Sequence, residues 1–166
     1  MFNFWQKISQ SESDKISLTS IINKHCSDNL SEEEKIEIAC IAGMIAEVIH
    51  SDGVVDDKEK EFLLNHLKTL NLTDSVNTAL VLLILNHVNE LAGLEQHYYY
   101  NEMKDLWDRP KKVSFLALLF QLAAIDGSVD STEVEKIRVI SDGLALEHQE
   151  FINCKLQVKS KLKILK

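Results

Sequence analysis

Apolar residues recur every three to four positions along most of the chain, the spacing of one face of an α-helix. Ser31-Glu32-Glu33-Glu34 opens the first long segment. A serine followed three residues later by a glutamate predicts a capping box, and acids in a first turn suit the helix dipole. Ile36, Ala39, Cys40, Gly43, Met44, Ala46 and Ile49 then follow at helical spacing as far as His50. Phe62, Leu63, His66, Leu67 and Leu70 mark a second amphipathic helix. Thr78–Leu94 is almost wholly apolar and reads as a buried central helix ending near Gly93. Helices are also expected over Tyr98–Trp107, Phe115–Ile125, Thr132–Leu144 and Gln149–Leu165, with Pro110 either ending the first of these or starting the next. About eight helices result and no strand, which is an all-α, single-domain bundle.

Composition agrees. One proline and five glycines in 166 residues leave little material for irregular connections. The net charge of −8 argues against nucleic acid as a partner, because a phosphate backbone calls for clustered Lys and Arg. The charge is also uneven. Residues 151–166 hold five lysines and no acid, leaving 13 basic against 26 acidic side chains before them. Three scattered cysteines, Cys26, Cys40 and Cys154, form no zinc spacing and read as reduced, mostly buried thiols. No apolar run reaches the roughly 18 residues of a membrane span, and the opening Met1–Ile8 is too short for a signal-peptide core. A cytoplasmic protein is expected, with peripheral placement at the inner membrane surface as a variant.

The chain repeats itself. Ser51-Asp52-Gly53-Val54-Val55-Asp56-Asp57-Lys58-Glu59 has a counterpart in Ile125-Asp126-Gly127-Ser128-Val129-Asp130-Ser131-Thr132-Glu133, each residue 74 positions on. The offset continues through Glu61 and Glu135, Leu63 and Ile137, Leu70 and Leu144, and Leu72 and Leu146. An apolar helix precedes each motif and an amphipathic one follows. One helix–loop–helix unit used twice predicts internal pseudo-two-fold symmetry.

Local physics accounts for most of the motif. The glycine after a helical run suits a left-handed helix end. Val55 and Val129 are expected to anchor the loop in the core. Asp56 with Glu59, and Asp130 with Glu133, have the spacing of capping boxes. Asp52 and Asp126 stay unexplained, since an acid near a helix C-terminus meets the unfavourable end of the dipole. The same string matches the second half of an EF-hand loop. Its first half is missing, with Val48 and His50 in one copy and Leu122 and Ala124 in the other at the first and third positions, so neither copy is an EF-hand. Two half-sites facing each other would gather Asp52, Asp56, Glu59, Asp126, Asp130 and Glu133 around a divalent metal ion, with His50 as a candidate extra ligand. Calcium, magnesium, manganese and zinc are not distinguished. Pure capping and a shared cation site both remain open at this level.

The duplicated D-G-x-V-D-x-x-E string in its helical context resembles the TerB family of bacterial tellurite-resistance and stress proteins. The second copy, Leu116–Phe151, is the closer match, and the resemblance spans Ser31–Phe151. It implies a helical bundle with an acidic face suggested to bind metal, a link to stress or tellurite responses, and association with membrane assemblies. Similar domains also occur fused to J-domains in co-chaperones. On this reading residues 31–151 form the TerB-like domain, 1–30 an N-terminal extension and 152–166 a basic C-terminal helix or tail.

No nucleophile elbow, phosphate-binding glycine loop or H-E-x-x-H motif is present, so a non-enzymatic role is expected. The other class of reading is a protein-binding or membrane-peripheral module in which the motifs are caps alone. Its support is the apolar N-terminus (Phe2, Phe4, Trp5, Ile8), expected to dock on the body, and the tail, where Leu156, Val158, Leu162, Ile164 and Leu165 alternate with lysines. A protein partner and a homo-oligomer are both compatible with the sequence. Tyr98, Tyr99 and Tyr100 are adjacent and cannot all face inward on one helix.

Overall fold

A computed structural model of the chain describes residues 5, 22–24, 26, 29–49, 55–70, 72–92, 97–125, 127 and 129–164. Seven α-helices and one 3-10 helix occur among them, with no strand. They are α1 (Glu32–Ile49), α2 (Asp57–His66), the 3-10 turn Leu67–Leu70, α3 (Asp74–Ala92), α4 (His97–Leu106), α5 (Arg109–Ala123), α6 (Ser131–Gly143) and α7 (His148–Ile164).

Helix α1 is the centre of the bundle. From Ile38 onwards nearly every residue is buried, and α3, α4, α5 and α6 all pack on it. Its side chains are small where neighbours come close (Ala39, Ala42, Gly43, Ala46) and branched elsewhere, so it is surrounded without large gaps. This corrects the expectation for Thr78–Leu94. The apolar stretch does form most of α3, but α3 lies on the outside of α1 and exposes Leu82 at 43%. Near its end α3 bends at His87, whose φ of −135° and ψ of 27° interrupt the helical backbone.

The starts of the helices follow the sequence closely. Ser31 Oγ accepts from the Glu34 N–H at 3.1 Å and Glu34 Oε2 accepts from the Ser31 N–H at 2.8 Å, completing the expected box. Pro110 starts a helix rather than ending one. It sits in the first turn of α5, where a missing N–H costs nothing, and Asp108 caps that turn by accepting from the Lys111 N–H at 2.9 Å. The C-terminal helix α7 packs on α5 and α6, and buries Phe151, Cys154 and Val158.

Two polar contacts tie distant parts together. Glu37 Oε1 on α1 accepts from Trp107 Nε1 at 2.8 Å and pairs with Lys111 Nζ at 2.5 Å, while Lys111 also lies 5.4 Å from the Trp107 ring centroid. Arg109 grips Glu150 with two donors, Nε at 2.6 Å and Nη2 at 2.8 Å, joining the start of α5 to α7. Trp5 packs against the core and its Nε1 donates to Glu32 Oε2 at 3.0 Å, so at this residue the N-terminal segment does dock on the body. All three cysteines are free thiols and buried.

Candidate functional site

The second halves of the two acidic motifs, Asp56–Glu59 and Asp130–Glu133, are built as the same local unit. Asp56 is extended (φ −78°, ψ 172°) ahead of α2, and its Oδ1 accepts from the Glu59 N–H at 2.8 Å. Glu59 Oε2 returns the contact, accepting from the Asp56 N–H at 2.9 Å. Asp130 repeats the arrangement ahead of α6 (φ −81°, ψ 167°), accepting from the Glu133 N–H at 2.8 Å. Glu133 Oε2 accepts from the Asp130 N–H at 3.0 Å. Helices α2 and α6 therefore begin 74 residues apart, on identical caps.

The repeat extends below the surface. Val55 and Val129 are half-buried and pack against the core, as expected of loop anchors. Leu63 and Ile137 are both fully buried, and so are the pairs Leu70 with Leu144 and Leu67 with Ser141. In the second loop Gly127 has φ 92°, and its N–H donates to the Ala124 carbonyl at 2.9 Å. Nothing lies within 4 Å of where a Cβ would stand, so the glycine answers to backbone conformation and not to space. Gly53, its counterpart, lies outside the described residues.

Asp52, Asp126 and His50, the residues that capping does not explain, also lie outside the described residues. Of the six carboxylates singled out, Asp56, Glu59, Asp130 and Glu133 are described. Among the described residues no three His, Cys, Asp or Glu side chains form a group able to hold a metal ion. Asp56–Glu59 and Asp130–Glu133 thus stand as two separate pairs, on helices that share no extensive interface. The reciprocal cap also appears where no D-G string precedes it, at Ser31 and Glu34. It is a general device of this chain.

Burial raises the thiol of Cys40 well above its ordinary value of 9.0, with the Glu102 and Glu37 carboxylates adding to the shift, and burial is also the main cause of the rise at Cys26 and Cys154. None is poised as a nucleophile or as a thiolate ligand.

Sequence reasoning missed a second feature. Leu64 of α2, 50% exposed, and Leu82 of α3 border a cleft of about 550 Å³ between the two helices. Its only signal in the sequence is a leucine in each helix lying off the stripe that faces the core.

The family model described as "Tellurite resistance protein TerB" matches residues 37–156, well over half of the chain. The match contains both acidic motifs and all of α2 to α6. No curated protein and no solved structure gives a significant match. No described helix is long and apolar enough to cross a membrane.

Proposed function

Because the chain belongs to the TerB family, we propose that it serves a tellurite or related stress response without catalysis, holding a divalent cation at its acidic loops. The observation that carries this reading is the identical construction of the two caps that close the motifs. Each cap engages one named oxygen of its aspartate and one of its glutamate. Capping accounts for the second half of each motif and leaves the first aspartate for the ligand. A carboxylate-rich loop suits a hard cation with oxygen ligands.

Titration calorimetry with calcium, magnesium, manganese and zinc tests the reading. Asn caps a helix as well as Asp does, so Asp56→Asn and Asp130→Asn keep the fold while removing charge. Asp52→Asn and Asp126→Asn are expected to abolish the heat of binding and leave the melting temperature of the metal-free protein unchanged. Absence of heat with all four ions, together with a melting temperature indifferent to EDTA, rejects the site.

The second reading is a binding module whose motifs are caps alone. It is favoured by the Ser31–Glu34 box, which shows the same geometry with no ligand role in view. A protein partner, a second copy of the chain and an anionic membrane surface met by the lysine-rich end are the partners it allows. A cytoplasmic setting, at the inner membrane surface in the last case, fits both readings.

A further inference from the structure

Among the described residues, large apolar side chains at the surface are few. Two of the most exposed, Leu64 and Leu82, flank the cleft between α2 and α3. Its floor is Leu63, Leu67 and Val81, and Leu85 continues the α3 wall. On that wall the lining residues run from Asp74 to Leu85 at helical spacing, eleven residues or about 16 Å at the α-helical rise. The cleft is therefore a trough about three turns long between two helical walls, the shape that receives the apolar face of an amphipathic helix.

Charge narrows the occupant. Lys60 of α2 and Lys68 of the 3-10 turn that follows it stand on the same rim, eight residues apart. Among the described residues neither makes an ion pair, although the chain carries 26 acidic side chains and a net charge of −8. A bilayer surface cannot reach the floor of a concave trough.

We propose that the α2–α3 trough docks an amphipathic helix of another protein, with leucine-type side chains on one face and carboxylates seven or eight positions apart along its edge. The leucines fill the trough between Leu64 and Leu82, and the carboxylates meet Lys60 and Lys68. The site is separate from the acidic loops and does not depend on a cation there.

The test uses the full chain, in EDTA, with two fluorescein-labelled helical peptides of 18 residues read by fluorescence anisotropy. Both carry leucines at i, i+3, i+7 and i+10, flanked by glutamates seven apart in one peptide and by lysines in the other. The glutamate peptide is expected to bind saturably, at least tenfold tighter than the lysine peptide. Lys60→Glu with Lys68→Glu is expected to reverse that preference. Leu82→Glu, a change at an exposed position, is expected to abolish binding with the melting temperature kept. Equal affinity for the two peptides, a preference unmoved by the double reversal, or no saturable binding overturns the proposal. So does a dimer in sedimentation that Leu64→Glu dissociates, since the trough would then belong to a second copy. Binding to anionic vesicles that Leu82→Glu removes overturns it in the same way.

Discussion

The ring of Tyr99 lies so close to Gly43 that a methyl group on that glycine would stand 2.4 Å from Cε2 and Cζ. The tyrosine is fixed at its far end as well, where Oη donates to the Leu91 carbonyl at 3.0 Å in a buried setting. Helix α4 therefore meets α1 at backbone distance, with a ring that has no room to withdraw.

Replacing Gly43 with alanine sets two effects against each other. Alanine favours a helix interior by about 1 kcal/mol over glycine, while overpacking a fixed ring costs about 1–3 kcal/mol. A net loss of up to about 2 kcal/mol is expected in urea unfolding. A methyl group on Gly143 would stand 2.3 Å from the ring of Tyr100, but Tyr100 is only half-buried, which leaves its ring solvent to yield into. Gly143→Ala should be close to neutral. Equal losses at the two sites would show that ring mobility is not the difference.

Glu37 is a junction between α1 and α5. Its side chain is 14% exposed and serves Trp107 and Lys111 together. Glu37→Ala strands a buried indole N–H and a half-buried ammonium, for an expected loss of about 2–3 kcal/mol. Glu37→Gln keeps an acceptor for the indole and should lose less. In a Trp5→Phe background the remaining Trp107 reports the change directly, and its emission should shift further to the red in the alanine variant than in the glutamine one.

The caps separate structure from function. Asp56→Ala and Asp130→Ala each remove an acceptor from a first-turn N–H, with a cost of about 1 kcal/mol. The asparagine variants should stay within a few tenths of a kcal/mol of the parent. Chemical denaturation of the four variants checks this, and a penalty for asparagine as large as for alanine would mean that charge, not the cap, stabilises the loop.

The thiol of Cys40 gives the stability a pH dependence of known sign. Its pKa is raised in the folded protein, chiefly by burial, so above the ordinary value of 9.0 the unfolded chain releases this proton and the folded chain keeps it. The folded state then binds more protons, and stability falls as pH rises through that window. Between pH 7 and 8 the contribution is intact. Beyond about pH 9 one such group supplies a slope of up to about 1.4 kcal/mol per pH unit. Cys40→Ala should reduce that slope relative to the parent, whatever it does to the absolute stability. Parallel curves would show that the slope comes from other groups.

Much of the bundle was legible in the sequence because local rules and global packing agree in it. The Ser31, Asp56 and Asp130 caps each place a helix start to the residue, and the buried sets of α2 and α6 follow the 74-residue register. The misreading at Thr78–Leu94 has a physical cause. Hydrophobicity reports which residues avoid water on average, and α3 turns one of its leucines, Leu82, to the trough instead of the core. The small side chains of α1 carry a weaker hydrophobic signal, yet they are what lets four helices crowd around it. The acidic loops were legible as caps, since a cap is a local matter of spacing. Whether Asp52 and Asp126 approach each other depends on how distant helices pack, which no local spacing encodes.

Tyr99 and Tyr100 are neighbours in sequence, yet one presses on α1, in the first half of the repeat, and the other on α6, in the second. Successive residues on an α-helix point about 100° apart, so α4 acts as a set square between the halves. A spacer between duplicated units ordinarily tolerates insertion. Here one residue added within α4 would swing whichever tyrosine follows it away from its glycine. The distance between the two acidic loops in sequence is thus quantised by the pitch of a helix that carries neither of them.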